Sequence, residues 1–166
     1  MSYTELIKRR ATNEESDECY TPDDQVFPLL KYLDKDSTYY EATSGKSSNI
    51  LSGFRKHGYN IVSSDGRNFF DCTRNDIYDG VITNPPYSKK DKFLEHCYEL
   101  GKPFALLLPV TSFQGSKRGK MFMEKGMSAL VYNNRIDFTG KGSPTFGNAW
   151  FIWGFMPPNQ IHWVDN

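Results

Sequence analysis

The sequence predicts a three-layer α/β domain with a mostly parallel sheet, and three observations support this prediction. Predicted strands alternate with predicted helices over residues 38–109, which is typical of units whose strands run parallel. A continuous apolar run at 103–109 lies between two prolines, as expected for a strand covered on both faces. The chain has 166 residues, enough for one domain with its own core.

The charge balance excludes a general electrostatic attraction to nucleic acid, because 20 basic residues face 20 acidic ones. Any such binding must come from local clusters. The three cysteines lack the spacing of a zinc site and are odd in number, so neither a metal nor a disulfide framework is expected. Residues 1–10 are too polar for a signal peptide, and no apolar run reaches membrane-spanning length. We therefore expect a cytoplasmic protein in a reducing environment, without membrane or metal.

The first part of the chain predicts an arm followed by a helix. Residues 1–19 carry mixed charge and few large apolar groups, so they are expected to form a mobile arm before a single domain over 20–166. Thr21 is suited to cap the next helix and Pro22 to its first position. Pro28 is expected to kink or restart that helix.

A strand–loop–helix–strand unit follows. Residues 38–42 form the first predicted strand, 49–57 a helix and 59–65 the second strand. Residues 68–71 form a third, short segment between the second predicted strand and the next one. The next strand, 80–83, must end there because two prolines follow at once.

The second half predicts a helix at 91–100, the buried strand at 103–109, a polar loop at 114–120 and a short helix at 121–125. The remainder is rich in strand signals. Strands are expected near 129–132, 135–138 and 149–155.

The most informative stretch is Asn84-Pro85-Pro86-Tyr87, directly after the fourth predicted strand segment. Each proline restricts the residue before it, so this strand end is stiff. It presents an amide, a backbone carbonyl and an aromatic ring. A rigid group of acceptors beside a flat ring is suited to holding a planar amino group.

Other candidate ligand-binding residues follow the first two strands. The loop at 41–45 lies where open α/β sheets bind ligands, although an ordinary turn would look the same. A phosphate-binding loop is rejected because Lys46-Ser47 lacks the upstream glycine. Asp65 ends the second predicted strand, where nucleoside binders place an acid on ribose, although a solvated carboxylate in a turn would look the same. Asn68, Phe69 and Phe70 offer an amide and an apolar wall for a purine, or else core residues.

Together these motifs resemble a known family, the adenine-N6 methyltransferases that use S-adenosylmethionine, and among them the small phage-type and Dam-like enzymes. The resemblance covers most of the chain from residue 20 to residue 155. It is carried by four motifs in order: Tyr20-Thr21-Pro22, Asn84-Pro85-Pro86-Tyr87-Ser88, Leu106-Leu107-Leu108-Pro109 and Arg135-Ile136-Asp137-Phe138.

The resemblance implies a Rossmann-like class I methyltransferase fold and a role for each matched position. Asn84, Pro85, Pro86 and Tyr87 would form the catalytic motif. The residues implied to bind S-adenosylmethionine are Tyr20, Thr21, Pro22, Glu41, Ala42, Thr43, Ser44, Gly45, Asp65, Asn68, Phe69 and Phe70. The first loop keeps one glycine where the family usually has two.

Two basic clusters are candidate contacts to nucleic acid, with DNA preferred over RNA. They are Lys89, Lys90 and Lys92 after the motif, and Lys117, Arg118 and Lys120 in the loop after the buried strand. Methylation of RNA adenine or of a protein glutamine, and a non-catalytic binding module of the same fold, remain open alternatives. The oligomeric state and the recognition sequence cannot be deduced from the sequence.

Overall fold

One seven-stranded sheet forms the middle of this computed structural model, which describes residues 21–45, 48–138, 142 and 146–165. The strands are β1 (Thr38–Glu41), β2 (Asn60–Ser63), β3 (Gly80–Thr83), β4 (Phe104–Pro109), β5 (Ser128–Tyr132), β6 (Asn148–Trp153) and β7 (Ile161–Val164). They lie in the order β2-β1-β3-β4-β6-β5-β7. Every pairing is parallel except the two that β6 makes, with β4 and with β5. The predicted mostly parallel α/β sheet is confirmed.

Helices cover both faces of this sheet. They are α1 (Phe27–Leu30), α2 (Asn49–Lys56), α3 (Lys90–Leu100) and α4 (Ser116–Lys125). The Ser48 side chain caps α2 by accepting a hydrogen bond from the Leu51 backbone N–H at 3.1 Å. Gly101 ends α3 with a φ of 65°, a left-handed conformation that glycine adopts at no steric cost.

The side chains of β4 divide the core into two layers. Phe104, Leu106 and Leu108 point to the layer that holds α3, whereas Ala105 and Leu107 point to the layer that holds α1 and α2. All six residues of the strand are buried. The alternation follows from the two-residue period of a strand, and it produces the predicted three layers.

The beginning of the described chain is tied to its end through Gln25. The Gln25 carbonyl oxygen accepts hydrogen bonds from the Trp150 indole N–H at 2.9 Å and from the Tyr132 hydroxyl. Both donors are buried. Residues 21–26 are therefore held against strands that follow more than a hundred positions later in the chain.

Several predicted elements differ in the structure. Residues 135–138, predicted as a strand, belong to no strand, and β7 was not predicted because half of its side chains are exposed. The third short piece is a 3₁₀ turn at Phe69–Asp71 capped by Asn68. Helix α4 starts at Ser116, within the predicted polar loop, since Lys and Arg are good helix formers.

The start of the described chain also differs from the prediction. Pro22, rather than Thr21, precedes a 3₁₀ turn at Asp23–Val26, and α1 restarts the helix with Pro28 in its first turn, as one of the two alternatives foresaw. The predicted arm at 1–19 and Tyr20 lie outside the described residues.

Two of the cysteines, Cys72 and Cys97, are buried free thiols. No helix in the described part of the chain is long and apolar enough to cross a membrane. The described residues also contain no group of three or more His, Cys, Asp and Glu side chains that could hold a metal ion.

Candidate functional site

The candidate site lies at the carboxyl edge of the sheet, where β1 stands between β2 and β3. Because all three strands are parallel, the loops that follow them leave the sheet at the same edge. This brings the predicted ligand loop at 41–45, Asp65 and the Asn84-Pro85-Pro86-Tyr87 motif into one neighbourhood. Ligands of open α/β sheets bind at this edge.

The motif itself forms the turn between β3 and α3. The Pro86 carbonyl accepts from the Lys89 backbone N–H at 2.9 Å, and the Tyr87 carbonyl accepts from the Lys90 ammonium at 3.1 Å. The Asn84 carbonyl lies 3.2 Å from the Thr43 hydroxyl. Among the described residues, no turn or side-chain hydrogen bond uses the carbonyl of Pro85. That carbonyl is available as an acceptor for a ligand.

The side-chain amide of Asn84 is oriented by Thr21. Asn84 Nδ2 donates to Thr21 Oγ1 at 3.0 Å, and Thr21 is only 4% exposed. Thr21 binds the nitrogen of the amide, so the oxygen Oδ1 points away from Thr21 on the other side of the amide group. The resemblance implies that Thr21 binds the cofactor, and the structure places Thr21 directly against the motif.

A buried carboxylate links the loop after β1 to the end of β3. Glu41 is 1% exposed, and its Oε1 accepts hydrogen bonds from the Thr83 hydroxyl and from the Thr43 backbone N–H, the latter at 3.1 Å. The Thr43 hydroxyl lies 2.7 Å from the Thr83 hydroxyl and 3.2 Å from Glu41 Oε1. Since Thr83 immediately precedes Asn84, this network fixes the position of the motif relative to the ligand loop.

The loops after β1 and β2 are joined to each other by serine side chains. Ser44 Oγ accepts from the Ser64 backbone N–H at 3.2 Å, and Ser64 Oγ accepts from the Gly45 backbone N–H at 3.0 Å. The Gly45 carbonyl then accepts from the Asp65 N–H at 2.9 Å. Gly45 has a φ of 56°, which explains why this position favours glycine.

Asp65 is exposed in the turn two positions after β2, which ends earlier than predicted, and it has a positive φ of 45°. A non-glycine residue in this conformation carries strain, and strained backbone is concentrated at functional sites. Its carboxylate faces solvent at the carboxyl edge of the sheet. This placement suits a hydroxyl-bearing ligand.

Tyr87 is held by two residues that the sequence did not single out. Asn148 Nδ2 donates to the Tyr87 hydroxyl at 2.8 Å, and the ring of Phe146 meets the ring of Tyr87 edge-on, with centroids 5.7 Å apart. Asn148 is the first residue of β6, and Phe146 lies two positions before it. Nothing in the local sequence identified them, since their contact with Tyr87 depends on the sheet order.

The two phenylalanines predicted to border a purine, Phe69 and Phe70, differ in exposure: one lies in the core and the other at the surface. Phe69 is 3% exposed and stacks on Phe93 with centroids 4.9 Å apart, whereas Phe70 is 36% exposed. Of these two rings, Phe70 has the exposed surface that a ligand needs. The Asn68 side-chain oxygen accepts from the Phe70 backbone N–H at 3.2 Å and therefore caps the turn. Ala42 is 5% exposed and belongs to the core, while Pro22 is partly buried.

The basic residues divide into internal and exposed ones. Arg118 donates to the Ser112 carbonyl at 2.9 Å, to the Asp91 carboxylate at 2.6 Å and to the Gln114 carbonyl, so its guanidinium links three segments. Lys117 pairs with Glu95, whose hydrogen bond raises the pKa of the Lys117 ammonium. The remaining lysines differ in exposure: Lys89, Lys92 and Lys120 are exposed, and Lys90 is half-buried.

Solved structures of similar fold exist at low sequence identity. One belongs to a study of complex assembly and conformational transition of the type I R-M system; it is 14% identical, with a TM-score of 0.58, and the match covers 98% of this chain and 48% of that chain. Another is described as a modification subunit of a type I restriction enzyme from Vibrio vulnificus YJ016; it is 14% identical, with a TM-score of 0.59 and coverage of 98% and 50%. This chain thus spans about half the length of both.

A third similar structure is described as a class I S-adenosylmethionine-dependent methyltransferase from Listeria monocytogenes. It is 13% identical, with a TM-score of 0.60, and the match covers 96% of this chain and 69% of that chain. No family model and no curated protein matches the sequence. The structural likeness shows that the chain has the Rossmann-like class I methyltransferase fold, as predicted.

Proposed function

We propose that the protein transfers a methyl group from S-adenosylmethionine to the exocyclic N6 of adenine in nucleic acid, with DNA preferred over RNA. The observation that carries this proposal is the position of Asn84-Pro85-Pro86-Tyr87. The motif lies directly at the carboxyl end of β3 in a class I methyltransferase fold, beside the loop anchored by Glu41. The likeness to a structure of the type I R-M system and to a modification subunit of a type I restriction enzyme favours DNA.

The chemistry follows from the two acceptors of the motif. The lone pair of an adenine amine is delocalised into the ring, so this nitrogen is a poor nucleophile. If Asn84 Oδ1 and the Pro85 carbonyl each accept one N–H, the nitrogen is drawn toward tetrahedral geometry and its lone pair is localised. The bond from Asn84 Nδ2 to Thr21 holds the amide in the orientation this requires. No strongly basic side chain is needed.

Tyr87 supplies the surface on which the target base stacks. A base within a duplex is inaccessible to the motif, so it must be extruded or already unpaired. The edge of Phe146 against Tyr87 leaves the ring orientation defined before a base arrives. A preorganised stacking surface lowers the entropy lost on binding.

The residues around the ligand loop fit S-adenosylmethionine, which supplies an electrophilic methyl group on a sulfonium when bound. Glu41 Oε1 accepts hydrogen bonds from Thr83 and Thr43, while Oε2 accepts none from any described residue and suits the ammonium of the methionine part. Gly45 has an open neighbourhood, and Asp65 would accept from the ribose hydroxyls. Phe70 would border the adenine.

Phosphate contacts are assigned to the exposed lysines. Lys89 and Lys92 follow the motif directly, and Lys120 lies on α4 at 4.0 Å from Glu124. An exposed ion pair at that distance is weak and exchanges readily for a phosphate. Because Arg118 already donates to three internal acceptors, it is the least suited of the basic residues to contact phosphate.

The test is methyl transfer from labelled S-adenosylmethionine to adenine-containing DNA, RNA and protein. We expect labelled DNA, and we expect Asn84→Ala to lower kcat by about a hundredfold or more, since one preorganised polar group at the reacting atom contributes that much. The affinity for S-adenosylhomocysteine, measured by calorimetry, should change less than about threefold. Asn60→Ala, at the opposite edge of the sheet, is the matched control. Unchanged activity in Asn84→Ala would refute the assignment.

The alternatives give different outcomes in the same experiments. Label released by protease rather than nuclease would identify a protein glutamine as the substrate, and label in RNA alone would identify RNA adenine. No binding of S-adenosylhomocysteine would indicate a non-catalytic module of the same fold.

A further inference from the structure

Asn148 is a fully buried amide that contacts the candidate catalytic motif. It is 1% exposed and donates through Nδ2 to the Tyr87 hydroxyl at 2.8 Å. We propose that Asn148 is a positioning residue that fixes the Tyr87 ring for stacking on the target base. The effect on activity rests on the proposed function; the effect on the ring does not.

The topology explains how a residue so late in the chain reaches the motif. Strand β6 runs antiparallel to β4, so β6 begins at the edge where β4 ends, and Asn148 is paired with Pro109. The Val110 backbone N–H donates to the Gly147 carbonyl at 2.9 Å and extends the contact past the strand. Asn148 is therefore set on rigid backbone at the carboxyl edge of the sheet.

The burial of this amide indicates a role other than stability. Asn148 Oδ1 is buried and has no hydrogen-bond partner among the described residues. A buried polar atom without a partner destabilises a fold relative to an apolar residue of similar size. Leucine has nearly the same shape and would avoid this cost. The hydrogen bond to Tyr87 is what leucine would lose.

Two contacts restrain two different motions of the Tyr87 ring. The hydroxyl lies on the axis of rotation about the Cβ–Cγ bond, so the bond from Asn148 stops the ring from swinging about χ1 but does not stop it from flipping. The edge-on contact with Phe146, with an interplanar angle of 66°, opposes rotation about that axis. Together they define the plane that a base would meet.

The test uses Asn148→Leu, Tyr87→Phe and the double variant, with Ser128→Ala as a control. Ser128 is also 1% exposed and hydrogen-bonded, but it begins β5, which runs opposite to β6 and therefore starts at the other edge of the sheet. The first readout needs no substrate: the order parameter of the Tyr87 ring, from NMR relaxation of the ligand-free protein with ring-labelled tyrosine. We expect it to fall in Asn148→Leu and to stay unchanged in Ser128→Ala.

The second readout compares kcat/KM for the nucleic-acid acceptor with the affinity for S-adenosylhomocysteine. We expect kcat/KM for the nucleic-acid acceptor to fall roughly threefold to tenfold in Asn148→Leu, the range of one lost neutral hydrogen bond, while the affinity for S-adenosylhomocysteine is unchanged. In Tyr87→Phe, Asn148 loses its partner. The double variant removes both polar groups, so it should unfold at a higher temperature than Tyr87→Phe and be no less active.

The outcomes separate the two proposals. A Tyr87 ring that stays equally ordered in Asn148→Leu overturns the positioning role whether or not the protein is a methyltransferase. A wild-type protein that methylates no acceptor overturns the proposed function while the ring measurement still decides the positioning role. An additional loss of acceptor kcat/KM in the double variant beyond Tyr87→Phe would show that Asn148 acts independently of the hydroxyl and would overturn the proposal.

Discussion

The hydrogen bond between Thr83 and Glu41 should stabilise the fold measurably, and Thr83→Val tests this. Valine has the shape of threonine, so the substitution opens no cavity and removes only the hydroxyl. Both residues are fully buried, at 0% and 1% exposed. A hydrogen bond to a charged group contributes about 1.5–3 kcal/mol, so we expect the free energy of unfolding to fall by about 2 kcal/mol. In a domain of this size that corresponds to a midpoint roughly 4–8 °C lower.

The assay is urea unfolding and calorimetry at pH 7, with Thr38→Val as the matched control. Thr38 lies at the opposite end of β1, and its hydroxyl forms no hydrogen bond within the described residues. Its substitution should change the free energy of unfolding by less than about 0.5 kcal/mol. A double-mutant cycle with Glu41→Gln measures the coupling directly. Equal stability of Thr83→Val and Thr38→Val, or strict additivity in the cycle, would refute the reasoning.

Three further predictions address separate parts of the molecule. Thr21→Val should lower kcat by about tenfold with little change in cofactor affinity, because the hydrogen bond from Asn84 Nδ2 to Thr21 Oγ1 is lost. Thr21→Ser should retain activity, and activity assays of both variants check this. Arg118→Ala should leave the salt dependence of DNA binding unchanged while lowering the unfolding temperature, since its donors serve internal acceptors; a decrease in the salt slope of about one would contradict this. Hydrogen bonds from Arg67 hold the pKa of Asp76 below its ordinary value. The Arg67–Asp76 pair therefore stabilises the fold above about pH 4, and this stabilisation disappears as the pH falls further and Asp76 is protonated. The difference in the free energy of unfolding between the wild type and Asp76→Asn should therefore become smaller as the pH falls. Chemical unfolding at several pH values measures this difference.

The elements that the sequence predicted well are those whose signal is local. The apolar sequence of β4 predicts this strand by itself, because a strand covered on both faces needs apolar residues at every position. The end of β3 was equally clear, since two prolines cannot continue a strand. The predicted end of α3 at residue 100 was also clear, because Gly101 follows and glycine readily adopts the left-handed conformation that ends a helix.

The parts that the sequence did not reveal depend on contacts between distant segments. Strand β7 was missed because an edge strand with exposed Ile161 and Trp163 lacks a buried pattern. Phe69 and Phe70 are adjacent and chemically identical, so only the packing distinguishes the core ring from the exposed one. Asn148 has no motif around it. Its contact with Tyr87 exists only because β6 is inserted antiparallel beside β4.

The hydrogen bonds from Trp150 and Tyr132 to the Gln25 carbonyl affect how the candidate site assembles during folding. The Trp150 and Tyr132 bonds to Gln25 span 125 and 107 positions, and the segment they anchor also carries Thr21. Contacts of such sequence separation are slow to form, because closing the long intervening loop costs conformational entropy. We expect the amide of Asn84 to acquire its orientation only after β5 and β6 have joined the sheet. The nascent chain would then have no competent site until β5 and β6 have been synthesised, and a change in tryptophan fluorescence that is lost in Trp150→Phe would report that step.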